Sequence, residues 1–209
     1  MIMDFKKRIE ELLLSTEREG MPQLLKWMEE NGFYVVPCSA SNHLAKEGGL
    51  AEHSLNVLGA MQDVSFLLCV GPETLTKEQQ DAIIICSLLH DLGKVGDYGK
   101  PGYVPNMLKG RPTKANPTPE PYQSLSKPYE VNKELSPIDH EVRSVKIAAK
   151  FIELTEEEEL SIYWHNGLYG NYKYQIPGKE TPLYLLLHFA DMWASRVMEK
   201  EVVVADEQI

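Results

Sequence analysis

The sequence predicts an all-α protein: a helical bundle interrupted by one long proline-rich excursion at about residues 95–137. Apolar residues recur at helical spacing through most of the 209 residues. Thr76 and Thr155 each stand three positions before a Gln or Glu, the pattern of a helix capping box, and Thr181-Pro182 is typical of a helix start. Eight of the 13 prolines lie between Pro101 and Pro137, so long regular structure is not expected there.

Seven helices are expected from these patterns. Their predicted ranges are 4–14, 22–30, 50–68, 76–91, 136–153, 155–166 and 181–200. A break is expected at Gly71-Pro72, a short extended segment at 33–37 and a short strand at 129–132, with at most a small β-hairpin. We expect a single domain over 1–209, made of a helical N-terminal extension (1–38) and a core (39–200), with a short tail from Val202 to Ile209.

Composition and charge exclude several classes of protein. The chain is 43% hydrophobic and 25% charged, which is ordinary for a soluble globular protein. A net charge of −10 argues against broad, non-specific binding to duplex nucleic acid. The longest apolar runs are too short to span a bilayer, and the first residues contain no apolar signal core. Three scattered cysteines, at 38, 69 and 86, favour a reduced, cytoplasmic protein.

The segment from Asp81 to Lys94 joins an apolar helix pattern to two residues that are costly to bury. Its β-branched and leucine residues belong in a core, yet the pattern ends in His90-Asp91, followed by Gly93 and Lys94. Neutral imidazole and carboxylate are both good metal ligands. A metal ion is therefore the simplest partner for this pair.

Further histidines and an aspartate share this placement. The residues on inward helical stripes or at helix ends are His53, His140, His165, His188 and Asp191. A single core histidine is usually satisfied by hydrogen bonds, but five helical segments that each bring His or Asp to a core are not expected by chance. Helix bundles assemble metal sites in this way. Ligation by nitrogen and oxygen suits Mn, Fe, Co, Ni, Mg or a catalytic Zn, and the two oxygens of Asp91 can bridge two ions.

The order His53, His90-Asp91, Asp191 resembles the motif of the HD-domain metal-dependent phosphohydrolases. The runs that agree with it are Gly48-Gly-Leu-Ala-Glu-His53-Ser, His90-Asp-Leu-Gly-Lys94, Asp139-His140-Glu, Trp164-His165-Asn-Gly and Leu187-His188-Phe-Ala-Asp191. The resemblance covers roughly 39–198. Within this family, the sequence is similar to small stand-alone HD proteins of bacteria and phages. It is also similar to the HD half of a bacterial 3′→5′ exoribonuclease, but no OB-fold pattern is evident in this sequence.

The resemblance implies roles for individual residues. One divalent ion would be held by His53, His90, Asp91 and Asp191, and a second by Asp91, His140 and His165. Lys94 would contact the substrate phosphate and act with Asp91 in catalysis, while His43 would bind substrate or donate a proton. His188, one turn before Asp191, would orient a ligand. Between Lys94 and Lys114 five basic residues accompany one acid, so Lys109 and Arg111 are expected at a rim that attracts an anionic substrate.

We therefore expect a metal-dependent phosphohydrolase, a phosphomonoesterase or phosphodiesterase, with two divalent metal ions. Its expected partner is a nucleotide or a short nucleic acid, and no membrane is involved. Two alternatives stay open. One is a di-iron oxygenase that uses the same kind of ligand set. The other is a non-catalytic sensor that binds a nucleotide without turning it over.

Overall fold

The computed structural model describes residues 2–69, 74–114 and 116–200, and it confirms a mostly helical protein. The α-helices in these ranges are α1 (Ile2–Leu14), α2 (Met21–Glu30), α3 (Gly49–Val64), α4 (Lys77–Leu89), α5 (His140–Ala148), α6 (Glu156–Trp164) and α7 (Pro182–Trp193). None of these helices has both the length and the apolar character that a membrane span requires. The predicted break at Gly71-Pro72 and the tail after Val202 lie outside the described residues.

Helices α3, α4 and α7 form the centre of the core. α3 packs against α4 and α7, and α6 packs against both α4 and α7. The side chains of Leu50, Ile85 and Leu187 are fully buried there. Ile9 of α1 and Leu24 of α2 belong to the same apolar cluster. The N-terminal helices are thus part of the core that positions the site.

Side-chain caps fix the starts of three helices. The side chains of Thr76 and Thr155 each accept a hydrogen bond from the backbone N–H three residues on. In return, the Gln79 and Glu158 side chains accept from the backbone N–H of Thr76 and Thr155, so both predicted capping boxes are confirmed. Thr181 caps α7 by accepting from the backbone N–H of Tyr184 (3.3 Å). The capped helices are α4, α6 and α7. His90 follows α4, His165 follows α6, and Asp191 lies in α7.

Three predicted segments differ in part from the structure. The third helix is α-helical only to Val64 and continues as a 3₁₀ turn, Ser65–Leu68. Residues 33–37 are not extended but form turns, because Gly32 adopts a left-handed conformation (φ 83°) and its carbonyl accepts from the backbone N–H of Val36. The fifth helix begins at His140 rather than at residue 136, and it ends at Ala148 rather than at 153.

The proline-rich excursion folds back on itself as an arm of short antiparallel strands. The strands are β1 (Gly96–Asp97), β2 (Lys100–Pro101), β3 (Tyr103–Pro105), β4 (Met107–Leu108), β5 (Tyr122–Gln123) and β6 (Tyr129–Val131). They pair β1 with β2, β3 with β6 and β4 with β5. The predicted strand near 129 is confirmed. The sequence predicts at most one small hairpin, whereas the described residues form three strand pairs. The prolines in these strands stand at strand ends, where a missing N–H is tolerated.

An ion pair joins the N-terminal helices to α6. Glu158 is buried, and Arg18 binds both of its carboxylate oxygens at 2.9 Å. Arg18→Ala leaves this carboxylate without its cation, so we expect the free energy of unfolding to fall by about 2 to 3 kcal/mol. Urea denaturation measures the change. The exposed pair Lys26–Glu30 (3.8 Å) supplies the control, since Lys26→Ala should cost less than about 0.5 kcal/mol. Equal losses in the two variants would contradict the assigned role of Arg18.

Candidate metal centre

The six predicted ligands come together where five helices meet. His53 lies in α3, and His90-Asp91 follows α4 directly. The other three, placed by α5, α6 and α7, are His140, His165 and Asp191. Gly93 allows the close approach of α5, because a Cβ at this position would lie 2.1 Å from the His140 carbonyl oxygen. The sequence at 90–94 therefore serves both ligation and packing.

Two imidazoles lie beside one oxygen of the Asp91 carboxylate. His53 Nε2 lies 3.6 Å and His90 Nε2 3.4 Å from Asp91 Oδ2. The two imidazole nitrogens are 3.3 Å apart, and Asp191 Oδ1 is 3.2 Å from His53 Nε2. His53, His90 and Asp191 converge closely enough to hold one metal ion.

The other oxygen of Asp91 faces a second pair of imidazoles. Asp91 Oδ1 lies 3.1 Å from His140 Nε2 and 3.6 Å from His165 Nε2. The two nitrogens are 3.3 Å apart. Asp91 Oδ1 is buried and makes no hydrogen bond to any described residue. A buried acceptor without a donor is costly, and a cation at this position would satisfy it.

The Nδ1 atoms of all four imidazoles point away from this centre, toward oxygen atoms. His53 Nδ1 lies 3.0 Å from both Glu199 oxygens, and His140 Nδ1 lies 3.2 Å from Glu141 Oε2. The other two contact backbone carbonyls: His90 Nδ1 that of Ser87 (2.9 Å) and His165 Nδ1 that of Ile162 (2.8 Å). A proton held on Nδ1 leaves the Nε2 lone pair free for a metal.

Glu199 and its partner Asn56 were not predicted from the sequence. Glu199 is buried, and the Asn56 amide donates to it at 2.8 Å. An α-helix turns about 100° per residue, so eight residues place Glu199 about 80° away from Asp191. A π-helical turn, Ala194–Met198, takes up one extra residue and returns Glu199 to that face. Its signature is the hydrogen bond from Glu199 N to Ala194 O (3.0 Å).

Burial and neighbouring charges set the protonation of the centre. Burial by itself raises the pKa of Asp91, but Lys94 and His90 hold it well below its usual range. Burial lowers the pKa of His165 to about 3, with His90 adding to the effect, so this ligand is neutral. Burial also disfavours the charged form of His53, yet Cys38 and the carboxylates beside it raise its pKa well above the usual value. A metal ion bound at His53 would therefore replace a proton.

Lys94, His43 and His188 also lie at the centre. Lys94 Nζ is 2.6 Å from Asp91 Oδ2. His43 Nε2 is 3.2 Å from Cys38 Sγ. His188 Nδ1 donates to the His165 carbonyl (2.7 Å), so it supports the segment that carries a ligand. Gly167 makes room for this contact, since a Cβ there would lie 2.4 Å from His188 Cε1.

A cavity of about 130 Å³ opens from the centre toward solvent. Its walls include predicted residues and five that were not predicted: Asn166, Tyr169, Met192, Ser195 and Arg196. The two predicted rim residues are absent from its walls. Lys109 and Arg111 are exposed and follow β4, away from the base of the arm. The structure therefore does not bring them to the cavity.

Comparisons with protein-family models, with curated proteins and with solved structures each find no match for this chain. Its class is therefore defined by the fold and by the centre. The fold is a mostly helical bundle, and the centre is a His/Asp cluster that could hold a metal ion.

Proposed function

We propose that this protein is a metal-dependent phosphohydrolase of the HD type, with two divalent ions, acting on a nucleotide or a short nucleic-acid phosphoester. One observation carries the proposal. The Asp91 carboxylate lies between two sets of imidazoles, with one oxygen toward His53 and His90 and the other toward His140 and His165. This is the arrangement that a carboxylate bridging two ions requires.

The residues present fit two ions. His53, His90 and Asp191 would hold one and His140 and His165 the other, with Asp91 shared between them. The donor set contains only nitrogen and oxygen atoms here, which suits Mn, Fe, Co, Ni, Mg or a catalytic Zn. Two ions bound there would lower the pKa of water and neutralise the charge of a phosphoryl group.

Lys94 provides a cation at the reacting position. Burial by itself lowers the pKa of its ammonium group, but the Asp91 carboxylate raises it well above the usual value, so Lys94 stays charged at neutral pH. Lys94 is one of the residues that line the cavity. A fixed cation there stabilises the negative charge that develops on phosphoryl oxygens.

The mouth of the cavity provides contacts for the remainder of a substrate. A cavity of about 130 Å³ holds a phosphoryl group but not a nucleoside, which must extend outward. At the mouth, the Arg196 guanidinium lies 4.5 Å above the ring of Tyr169, which is 70% exposed. Among the described residues, Arg196 has no carboxylate at ion-pair distance. An unpaired cation beside an exposed ring suits a nucleotide phosphate and base.

Arg196→Gln should raise the KM for a nucleoside diphosphate about tenfold, because the lost cation contacts the phosphate that does not react. The kcat and KM for p-nitrophenyl phosphate, which has no second phosphate, should stay the same. Steady-state kinetics with both substrates measure the difference. Arg8→Gln, an exposed position on α1, is the matched control. A rise in KM for both substrates alike would contradict the assigned role.

The proposal is tested by metal loading and turnover together. Metal-free protein is reloaded with each candidate ion, and its stoichiometry is measured. Each form is then assayed against nucleotides, cyclic dinucleotides, short RNA and DNA, and bis-p-nitrophenyl phosphate. About two ions per chain with phosphate-ester hydrolysis is the expected result. Oxygen consumption by the iron form without hydrolysis would overturn the proposal in favour of an oxygenase, and tight nucleotide binding without turnover in favour of a sensor.

A further inference from the structure

Cys38 lies in a hydrogen-bonded loop between α2 and α3. Its backbone N–H donates to the Leu44 carbonyl (3.1 Å), and its own carbonyl accepts from the Tyr103 hydroxyl (3.4 Å). The loop packs so closely on the start of α3 that a Cβ at Gly49 would lie 2.1 Å from the Leu44 carbonyl oxygen. Because α3 carries His53, the loop holds Cys38 at a fixed position relative to this ligand.

The Cys38 thiol faces imidazoles. Cys38 Sγ lies 3.2 Å from His43 Nε2, and the rings of His43 and His53 are 5.0 Å apart between centroids. The ligand atoms of these three residues all lie within 4.8 Å of one another. A sulfur and a nitrogen bound to the same zinc ion are roughly 3.5 Å apart, given the usual bond lengths. The Cys38–His43 pair is therefore at ligand spacing.

The surroundings of Cys38 differ from those of an ordinary core cysteine. Its Sγ is 3.7 Å from Lys94 Nζ and 4.0 Å from Asp91 Oδ2, although the side chain is fully buried. Cys86 is equally buried, but its Sγ lies against a backbone carbonyl, that of Glu158, at 4.0 Å. Only the first of these thiols faces the charged and imidazole groups of the centre.

We propose that Cys38, as a thiolate, and His43 are ligands of the metal ion that His53 holds. A thiolate favours zinc, cobalt or iron over magnesium. The proposal therefore reduces the number of candidate metals for the ion at His53. On binding, the thiol S–H bond breaks, a sulfur–metal bond forms, and the proton leaves to solvent. His43, assigned to the substrate by the resemblance, becomes a ligand instead. The inference shares the ion at His53 with the proposed function, but it does not depend on hydrolysis.

Cobalt provides the test, because a thiolate bound to Co²⁺ gives a charge-transfer absorption in the near ultraviolet that imidazole and carboxylate ligands do not. Full-length protein, metal-free and reduced, is titrated with Co²⁺ as wild type, Cys38→Ser and Cys86→Ser. The band should appear in the wild type and in Cys86→Ser and be lost in Cys38→Ser, with Co²⁺ affinity at His53 weakened at least about tenfold. If Cys38→Ser does not fold, a band that persists in the double variant Cys69→Ser/Cys86→Ser assigns the thiolate by elimination.

The outcomes separate this inference from the proposed function. Two Co²⁺ ions bound to the wild type without the band would overturn the thiolate ligand and leave the phosphohydrolase proposal standing. A band that persists in Cys38→Ser would likewise overturn it. Wild-type protein that binds no Co²⁺, Zn²⁺ or Mn²⁺ would contradict both.

Discussion

Asp91→Asn is expected to abolish the binding of both ions and to lower the rate of phosphoester hydrolysis at least about thousandfold. The amide keeps the shape of the side chain but removes its charge and replaces one acceptor oxygen with a donor group. Both ions lose a ligand, because Asp91 faces one imidazole pair with each oxygen. Inductively coupled plasma mass spectrometry measures the ions, and steady-state assays measure the rate.

Asp97→Asn is the matched control for this change. Asp97 is also a buried carboxylate with a lysine partner, since Lys146 Nζ lies 2.6 Å from its Oδ2. It is six residues from Asp91 but is not among the residues that line the cavity. The control should keep two ions and full turnover. If Asp91→Asn kept both ions and hydrolysed at the wild-type rate, Asp91 would not be the bridging ligand.

Lys94→Met is expected to lower kcat by about 10²-fold to 10³-fold while both ions stay bound. The substitution removes the ammonium group that lies 2.6 Å from Asp91 Oδ2 at the cavity wall, and it keeps most of the side-chain volume. Cations bound at the centre would neutralise Asp91 in place of Lys94, so the centre should still form. Parallel measurement of kcat and metal content separates a catalytic role from a role in assembling the site.

Lys100→Met is the control for the loss of a lysine. Lys100 belongs to the same basic stretch, but it is exposed and its Nζ donates to the Glu134 carbonyl at 2.9 Å. Its substitution should leave kcat unchanged. Unchanged kcat in Lys94→Met as well would contradict a catalytic role for Lys94, whereas loss of both ions in that variant would assign it to the assembly of the site.

Much of the centre could be predicted because its ligands follow helix periodicity. His53 and Asp191 fall on the apolar stripes of α3 and α7, so their inward direction can be read from the spacing of their neighbours. The His90-Asp91 pair follows α4, whose start was fixed by a recognisable capping box. The position of His165 after α6 was predictable in the same way.

The outer partners could not be predicted, because their placement depends on tertiary structure. A regular helix turns Glu199 away from Asp191, and only the π-helical turn brings it back. The start of α5 was misplaced because Ser136-Pro137 matches a helix start, whereas residues 136–139 are not helical. Asp139 directly precedes α5, and its side chain makes no capping hydrogen bond. The Ser136 carbonyl accepts a hydrogen bond from the Arg143 side chain (2.9 Å). Neither contact has a local sequence signal.

The arm shows the limit of arguments from charge. Lys109 and Arg111 follow Lys94 in a basic stretch, which suggested a common rim. The antiparallel pairs β3–β6 and β4–β5 carry them outward along the arm, while its base stays beside the centre through the contact of Tyr103 with Cys38. Arg196, distant in sequence from this stretch, reaches the cavity instead. Closeness in sequence does not give closeness in space here, because the strand pairing separates these residues from Lys94.

The most direct test of the binuclear centre is a crystal structure of the manganese-loaded or zinc-loaded protein with anomalous data collected at the metal edge. We expect two anomalous peaks about 3.5 to 4 Å apart, with one Asp91 oxygen at each. His53, His90 and Asp191 should surround one peak, and His140 and His165 the other. A single peak, or two peaks of which neither contacts Asp91, would contradict the account.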